Sequence, residues 1–472
     1  MSSTLVVRLA GPGSAALVYA LVLAAGLPMD MARVLAAAAW MLVWWISDAV
    51  PLGVTSLLPV VLFPILGIAS IAETTAPYGS HYVFLFLGGF LIALALERWN
   101  LHRRFALTVL VAAGGKPRRL VGGFMCATAT LSMWISNTAT TLMMLPMAMS
   151  VLGHVDVRRH PHLPLALLLG TAYAANLGGI ATLVGTPPNV AMAGLLEEHV
   201  GISMPFVEWM AMAFPYSMIM LGATYVLLTR VLCRIDATPL EGGVSPLRSE
   251  LQALGPWTLA EQRVAIVFLM TAGLWVTRRG IEWLGWGALN DTTIAMAAGV
   301  ALFVLPSGTK GEFLLSWSDT RRLPWDILLL FGGGLTLAGA LKEAGVLDAV
   351  AHVLSNHAGS SWPVLVVAFA SVALLLTEVM SNLALTVIMV PVVAQVATSW
   401  GMDPLLLVVP VTMASSCAFM LPMATPPNAI IFGSGQVKMG DMARIGLALN
   451  AVAILVVWVW TVWVLPVWID WM

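Results

Sequence analysis

Charged residues are scarce in this chain of 472 residues. Only 10% of the residues are Asp, Glu, Lys or Arg, and 22 basic side chains against 23 acidic ones give a formal net charge of −1. Soluble domains carry about 25% charged residues, and nucleic-acid-binding domains present a basic surface. The scarcity of charge therefore excludes an ordinary soluble protein. The near-zero net charge gives no indication of a basic surface that would bind nucleic acid.

Cysteine and clustered histidine are scarce as well. The three cysteines, Cys126, Cys233 and Cys417, are isolated within apolar segments, which favours buried packing over a disulfide or a metal site. The eight histidines lie in loops or at the ends of apolar segments. Intramembrane hydrolysis needs a nucleophile paired with a base, or a metal cluster. The sequence has neither pattern, so we do not expect an enzyme or a catalytic residue.

Apolar residues, in contrast, make up 60% of the chain, and the mean hydropathy is +0.93. One membrane-crossing helix needs about 20 apolar residues, so the chain is long enough for many crossings. We predict an all-α polytopic membrane protein with 11 transmembrane segments. The predicted spans are 14–28, 31–47, 51–69, 82–97, 164–196, 210–233, 262–284, 292–306, 325–341, 404–432 and 445–468.

Two further apolar segments do not fit a simple crossing. Arginine pairs flank the segment 120–153 at 118–119 and 158–159, so the positive-inside rule predicts that the chain enters and leaves on one face. The two arms, each about 15 residues long, are short for a crossing and meet at 136–138. We therefore predict a re-entrant hairpin whose tip lies at membrane depth, where irregular backbone must be buried in protein or line a cavity.

Three short motifs recur in the same order in both halves of the chain, at offsets of 244, 245 and 239 residues. The paired motifs are Phe86-Leu87-Gly88-Gly89 with Leu330-Phe331-Gly332-Gly333, Ser136-Asn137 with Ser381-Asn382, and Gly185-Thr186-Pro187-Pro188-Asn189 with Ala424-Thr425-Pro426-Pro427-Asn428. The second Ser-Asn pair lies at the tip of a second predicted re-entrant hairpin, 361–400.

This duplication predicts an inverted repeat. The halves, about 31–233 and 262–468, each contain five predicted crossings and one hairpin, and an odd number of crossings turns the second copy upside down. Inverted repeats with interrupted helices are typical of secondary transporters whose site lies near the membrane midplane. A channel would have no need of two interrupted, inverted halves.

The two Thr-Pro-Pro-Asn elements predict broken helices. Proline removes a backbone donor and clashes with the preceding turn, so two prolines in succession interrupt 164–196 and 404–432. A break exposes backbone groups and helix dipole ends at membrane depth. One copy alone could be an ordinary proline kink, but two copies in corresponding positions favour a binding site.

The hairpin tips carry neutral oxygens and amide groups. Such oxygens, with the carbonyls of a broken helix, suit a hard monovalent cation, whereas N–H groups and helix N-termini suit an oxyanion. In one half alone, Ser and Asn could instead serve helix–helix packing. No Lys, Arg or His lies within ten residues of either tip, so an anion there would need co-bound cations to offset its charge. We predict two cation sites, one in each half.

Basic residues also predict the topology. Threading the crossings places the N-terminus in the cytoplasm and the C-terminus outside, in the cell (inner) membrane. With this topology 18 of the 22 Lys and Arg residues are cytoplasmic, as the positive-inside rule requires. The exceptions are Arg33, Arg278, Arg279 and Lys342.

At these motifs the sequence resembles the divalent anion:sodium symporter family, which carries di- and tricarboxylates and, in some branches, sulfate. The resemblance covers nearly the whole chain. The residues that carry it, besides both Thr-Pro-Pro-Asn elements, are Trp44-Trp45, Pro51, Thr55, Leu58-Pro59, Pro64, Leu101-His102-Arg103-Arg104, Ser132-Met133-Trp134-Ile135-Ser136-Asn137-Thr138-Ala139-Thr140 and Phe331-Gly332-Gly333-Gly334.

The resemblance implies a homodimer in membrane lipid that imports a small divalent anion with sodium ions by an elevator mechanism. A scaffold part would hold the dimer while a transport part carries the site across. The implied divisions are an N-terminal helix at 1–30, scaffold at 31–119, transport at 120–233, a cytoplasmic linker at 234–261, scaffold at 262–360 and transport at 361–472.

The resemblance also implies the site residues. The first sodium site would use Ser132, Ser136, Asn137 and the backbone around Gly185, and the second would use Thr377, Met380, Asn382 and the backbone around Ala424. The implied substrate contacts are Asn137, Thr138, Ser381, Asn382, Thr186 and Pro427, together with Leu383 at the second tip.

Two questions stay open at this point. Leu383 follows Asn382 where the family often has threonine, so a hydroxyl expected at the substrate is absent, and succinate, another dicarboxylate, citrate or sulfate could be carried. Some members are sodium-independent exchangers, in which cationic side chains are expected to replace sodium. The absence of such side chains near the tips favours symport.

Glu378 is expected either to orient the second tip through backbone N–H bonds or to tune the nearby cation site.

Overall fold

The computed structural model describes residues 3–156, 159–236, 238, 240, 244–283, 289–355 and 361–471. Arg158, part of the predicted linker 234–261 and the end of the predicted span 262–284 lie outside these residues. The described chain is helical; its β-type pairing is a single bridge between Pro306 and Phe313. The predicted all-α architecture is confirmed.

The described residues of the first half form thirteen α-helices, and a π-helical turn, Leu227–Leu232, follows the twelfth. They are α1 (Ser3–Ala24), α2 (Met29–Ser47), α3 (Leu52–Thr55), α4 (Leu58–Leu66), α5 (Ile71–Thr75), α6 (His81–Arg98), α7 (Leu101–Ala113), α8 (Pro117–Ser132), α9 (Asn137–Leu152), α10 (Leu163–Ile180), α11 (Pro187–Val200), α12 (Phe206–Val226) and α13 (Ser245–Ala253).

The part of the second half that the structure describes forms ten α-helices, with a second π-helical turn at Trp460–Val464. They are α14 (Leu259–Trp283), α15 (Asp291–Val304), α16 (Trp325–Glu343), α17 (Val346–Ser355), α18 (Trp362–Thr377), α19 (Asn382–Ser399), α20 (Leu405–Ser415), α21 (Pro426–Gly433), α22 (Met439–Val459) and α23 (Leu465–Trp471).

Within the described ranges, nine helical segments are long and apolar enough to cross a membrane, and four shorter apolar helices accompany them. One of the nine, Asn382–Ser399, is an arm of the predicted hairpin 361–400. Length and composition therefore give a different count from the eleven predicted crossings, because short or broken helices fall below the length of a full span. Eleven crossings remain a prediction.

The first helix is longer than predicted. It begins at Ser3, ahead of the predicted start at 14, and contains Pro12. Proline leaves the carbonyl four residues earlier without its helical donor. Here that carbonyl belongs to Arg8, and it accepts a hydrogen bond from Trp44 Nε1 of α2 at 3.0 Å. The indole thus allows the helix to continue through the proline.

Each predicted hairpin corresponds to a pair of helices joined by four residues. In the first half α8 and α9 flank 133–136, and in the second half α18 and α19 flank 378–381. A short helix precedes each pair: α7 begins at Leu101 and α17 at Val346, an offset of 346 − 101 = 245 residues. The repeat therefore extends to the helix that precedes each hairpin.

Both Thr-Pro-Pro-Asn elements lie at helix breaks. Residues 181–186 separate α10 from α11, and residues 416–425 separate α20 from α21. We call these segments break 1 and break 2, and we call 133–138 and 378–383 tip 1 and tip 2. The long helix before break 1, α10, lies at the centre of the molecule, with 94% of its residues buried.

Candidate functional site

The two hairpin tips are built alike. The last residue of the first arm, Ser132 or Thr377, donates its hydroxyl hydrogen to Oδ1 of the first residue of the second arm. The Ser132–Asn137 bond is 2.6 Å and the Thr377–Asn382 bond is 2.7 Å. Both hydroxyl residues are fully buried, whereas both asparagines are half-buried. Each tip thus holds a hydroxyl–amide pair that is open on one side.

The sequence accounts for this local geometry. Ser136 is the N-cap of α9, and its hydroxyl accepts a hydrogen bond from the Ala139 N–H at 3.2 Å, as a helix start requires. One turn into each second arm, a threonine hydroxyl donates to the asparagine carbonyl, from Thr141 at 2.8 Å and from Thr386 at 2.9 Å. The N-termini of α9 and α19 therefore start at the tips and present partial positive charge there.

Both breaks are closed by the asparagine of their Thr-Pro-Pro-Asn element. Asn189 Nδ2 donates to the carbonyls of Gly179, Ile180 and Thr182 at 3.0, 3.2 and 2.7 Å. Asn428 Nδ2 donates to the carbonyls of Ala418 and Leu421, both at 3.1 Å. The two amides thus supply side-chain donors where the helix is interrupted and its backbone hydrogen-bond pattern ends. Sequence reasoning treated these asparagines only as part of a motif and missed this role.

In the first half, tip 1 lies against break 1. A Cβ atom on Gly179 would be 2.6 Å from Asn137 Oδ1, and one on Gly185 would be 2.6 Å from the Gly179 carbonyl and 3.1 Å from that of Met133. The Thr182 hydroxyl also donates to the Met133 carbonyl. Ser132, Asn137 and the backbone around Gly185 are therefore close together, with Ser136 beside them as the N-cap.

In the second half, tip 2 is joined to the end of α20. The Thr377 hydroxyl contacts the Ser415 carbonyl, and Thr386 Oγ1 lies 3.0 Å from Ser415 Oγ. Ser415 was not among the predicted site residues, and no motif in the sequence marked it. Met380 is half-buried within tip 2, while Ala424 is buried in break 2.

A buried carboxylate fastens tip 2 to break 2. Glu378 is only 3% exposed and accepts backbone N–H bonds from Phe419 at 2.9 Å, Met420 at 3.0 Å and Leu421 at 3.1 Å. The Asn450 side chain of α22 donates a fourth bond at 2.7 Å. The backbone N–H partners expected for Glu378 are present, but they come from the break and not from the tip itself.

The predicted substrate residues differ in their accessibility. Thr138, Ser381 and the two tip asparagines are half-buried, whereas Thr186 is buried in break 1 and Pro427 is buried in the first turn of α21. Leu383 is 5% exposed and packs into the apolar core. The helix that follows break 2, α21, packs against α9 and α10 of the first half. Residues of the two halves are thereby brought to one region of the molecule.

The oxygen atoms at the tips are suitable ligands for a hard monovalent cation. Hydroxyl, amide and carbonyl oxygens carry no full charge, and they surround each tip asparagine. Among the residues that the structure describes, no group of three or more His, Cys, Asp or Glu side chains could hold a metal ion. The helix N-termini at the tips and breaks supply N–H groups suited to an oxyanion.

Comparisons with known proteins give a consistent result. The model of the family described as "Sodium:sulfate symporter transmembrane region" matches residues 5–470. The sodium-dependent dicarboxylate transporter SdcS of Staphylococcus saprophyticus is 37% identical over 436 residues, covering 90% of this chain and 84% of the relative. SdcS of Staphylococcus aureus strain bovine RF122 is 36% identical over 443 residues, covering 91% and 85%.

Two solved structures are similar in fold alone. MtrF of Neisseria gonorrhoeae, from a class of antimetabolite efflux pumps, has a TM-score of 0.59 at 12% identity and covers 86% of this chain and 84% of its own. The YdaH transporter of Alcanivorax borkumensis has a TM-score of 0.56 at 13% identity, with coverage of 85% and 87%.

Proposed function

The chain belongs to the sodium:sulfate symporter family, and from this membership we propose that it imports a small dicarboxylate together with sodium ions. It is a membrane transporter and not an enzyme. The curated relatives are named for sodium-dependent dicarboxylate transport. Succinate is therefore the leading substrate, and citrate and sulfate are the next to test.

One observation carries the proposal: the same hydroxyl–amide pair occurs at both tips, at 2.6 and 2.7 Å. We assign one sodium ion to each pair. The first ion would be held by Ser132, Ser136, Asn137 and the backbone at Gly185. The second would be held by Thr377, Met380, Asn382 and the backbone at Ala424, with the Ser415 carbonyl as an additional oxygen.

The substrate would bind between the tips. The side chains of Asn137, Thr138, Ser381 and Asn382 are half-buried there, and the N-termini of α9 and α19 supply N–H groups for its carboxylates. No basic side chain lies within ten residues of either tip in the sequence. Two sodium ions would offset the two negative charges of a dicarboxylate, which is why binding of anion and cation is coupled.

The proposal extends to the whole assembly. We infer an inverted repeat of eleven crossings and two hairpins, with the N-terminus cytoplasmic and the C-terminus external. The segments 120–233 and 361–472 would form the transport part, and 31–119 and 262–360 the scaffold of a homodimer. The close contacts of α10 and α21 with the opposite half support treating the two transport segments as one body.

Uptake into proteoliposomes tests this proposal directly. Purified protein is reconstituted, and labelled succinate is added outside with either sodium or potassium, to empty vesicles and to vesicles preloaded with succinate. We expect uptake into empty vesicles with external sodium and none with potassium. Unlabelled citrate and sulfate, added as competitors, then rank the substrates.

Two outcomes would contradict the proposal. Uptake that requires internal succinate and ignores sodium would identify an exchanger of the same fold. No movement of succinate, citrate or sulfate under an inward sodium gradient would exclude sodium-coupled transport of these anions. A protein carrying both Asn137→Ala and Asn382→Ala gives the background rate in every condition.

A further inference from the structure

The central helix α10 contacts functional elements of both halves of the chain. It belongs to the first half, yet two of its side chains donate hydrogen bonds to break 2, more than 240 residues away. Tyr173 Oη donates to the Phe419 carbonyl at 2.9 Å. Asn176 Nδ2 donates to Thr425 Oγ1 at 3.1 Å and to the Ala418 carbonyl at 3.5 Å.

The same helix also supports tip 1. Gly179 lies one turn after Asn176, on the same face, and a Cβ atom there would be 2.6 Å from Asn137 Oδ1. A Cβ atom on Gly178 would be only 2.3 Å from the Ala129 carbonyl of α8. Backbone contacts this close leave α10 little room to move independently of the first hairpin.

Asn176 is an unusual residue to find at the centre of a buried helix. It is 2% exposed, and within the described part of the chain its Oδ1 atom has no hydrogen-bond partner. A buried acceptor without a donor opposes folding, and an apolar side chain of similar volume would avoid that cost. The amide of Asn176 thus makes its bonds to break 2 while its own buried oxygen stays unpaired, which points to the link with break 2 as its role.

The corresponding residue of the second half makes a different set of contacts. At the offset of the Thr-Pro-Pro-Asn elements, 239 residues, Asn176 corresponds to Ser415. The Ser415 hydroxyl bonds to Thr386 and to the Thr412 carbonyl, both in its own half. Of these two corresponding residues, Asn176 is therefore the one whose side chain bonds to the break of the other half.

We propose that Asn176 is a positioning residue that couples the two cation sites. Thr425, its partner, is adjacent to Ala424 of the second site, and Gly179, one turn away, contacts Asn137 of the first. Sodium binding at tip 1 would restrict the motion of α10. Through the hydrogen bond from Asn176, the position of Thr425 would be restricted as well. This inference rests on the proposed function, because it assumes a sodium ion at each tip.

Coupling of this kind is reciprocal and makes sodium binding cooperative. We expect the sodium dependence of succinate uptake by the wild-type protein to be sigmoidal, with a Hill coefficient of about 2. In Asn176→Ala the Hill coefficient should fall to about 1, and the half-saturating sodium concentration should rise about fivefold or more. The maximal rate at saturating sodium should stay within about twofold of wild type, since both sites still fill.

A matched control is Tyr173→Phe. It removes the other side-chain bond between α10 and break 2 but leaves Asn176 in place, so cooperativity should be retained. Thr425→Val removes the acceptor of the Asn176 bond and should reproduce the loss of cooperativity. It also keeps the inference testable if Asn176→Ala does not fold. Adding Asn176→Ala to Thr425→Val should lower the Hill coefficient no further.

The outcomes separate this inference from the proposed function. Sodium-independent wild-type uptake would contradict the proposed function itself. Sodium-dependent uptake with a wild-type Hill coefficient of about 1 would overturn the coupling alone. Unchanged cooperativity in Asn176→Ala and Thr425→Val, or an equal loss in Tyr173→Phe, would also overturn the assignment to Asn176 while leaving sodium-coupled transport intact.

Discussion

Asn137 and Asn382 occupy the same position in two tips whose immediate neighbours differ. Residue 133 of tip 1 is methionine, held through its carbonyl by Thr182. Residue 378, at the corresponding position 245 residues later, is a glutamate held by three backbone N–H groups. A neutral carbonyl anchors one tip and a carboxylate anchors the other. The second proposed cation site therefore has an acidic side chain at the position where the first has a methionine.

Removal of either tip asparagine should abolish transport. Asn137→Ala or Asn382→Ala deletes both an acceptor and a donor at a proposed cation and substrate site, and we expect initial succinate uptake to fall at least about tenfold. Asn100→Gly is a suitable control, because Asn100 is exposed and has a φ of 55°, which glycine adopts freely. A wild-type rate in either tip variant would show that the site lies elsewhere.

Replacement of the buried carboxylate should weaken both folding and sodium binding. Glu378→Gln keeps the shape but turns an NH₂ group toward donors, so we expect a loss of about 1–3 kcal/mol in unfolding free energy. The half-saturating sodium concentration should also rise. Thermal unfolding and sodium-dependent uptake measure the two effects. Glu343→Gln is the control, because Glu343 is exposed. Wild-type behaviour on both measurements would mean that the carboxylate charge is dispensable.

His199 should make the protein less stable in acid. It lies beyond the predicted span 164–196, and burial, with a smaller contribution from Lys342, lowers its pKa from 6.5 to about 4. Between these values the unfolded chain binds a proton that the folded protein does not, so stability falls as the pH decreases from 6.5 toward 4. In His199→Gln the midpoint temperature of thermal unfolding should therefore depend less on pH over this range. Equal slopes for both proteins would contradict the assignment.

At the scale of elements, each break is bonded by the asparagine of its own Thr-Pro-Pro-Asn element. Two successive prolines start α11 and α21, and the asparagine after them donates its amide to carbonyls at or just before the break. The same four-residue element thus contains the prolines that interrupt the helix and the asparagine that bonds to carbonyls at the interruption. The remaining N–H groups at the start of the second half-helix stay available for a ligand.

The two break asparagines should differ in their contribution to stability. Asn189→Ala removes three hydrogen bonds to backbone carbonyls and Asn428→Ala removes two. At about 0.5–1.5 kcal/mol for each hydrogen bond lost, both variants should unfold at lower temperature, Asn189→Ala more so. The two variants serve as controls for each other in thermal unfolding. An equal or reversed order would show that the breaks rearrange after substitution.

At the scale of the whole molecule, the proposed transport part touches the proposed scaffold at the end of α11. Tyr82 Oη of α6 donates to Glu197 Oε2 at 2.7 Å, and Lys342 Nζ of α16 donates to the His199 carbonyl at 2.9 Å. A cavity of about 300 Å³ opens beside Tyr82 and Glu197. If the transport part slides along the scaffold, these contacts must break in every cycle.

A covalent link across this contact should stop transport. In a protein whose three cysteines have been replaced, Tyr82→Cys with Glu197→Cys is joined by a short bis-methanethiosulfonate reagent, and we expect succinate uptake to fall to background. The control pair, Gly122→Cys with Tyr225→Cys, lies within 120–233, where a Cβ on Gly122 would be 3.3 Å from the Tyr225 ring. That link should leave uptake unchanged. Continued uptake by the first linked protein would exclude relative movement at this contact.

Much of this architecture could be predicted because its causes are local. Apolar runs specify membrane helices, serine followed by asparagine starts a helix at each tip, and paired prolines interrupt a helix and start its second part. These features predicted both hairpins, both breaks and the family. The predicted start of the first span at 14 was wrong, because α1 runs through Pro12 and the sequence does not show that Trp44 would satisfy the Arg8 carbonyl.

The sequence by itself thus determined the kind of helices, where they are interrupted and which polar residues stand at the interruptions. Only the tertiary structure decided which groups meet there. Glu378 bonds to residues more than 40 positions away, and Asn176 to one that is 249 positions away. Such contacts depend on how rigid helices pack around α10, and packing follows from shape and burial over the whole molecule. No local pattern in the chain encodes them.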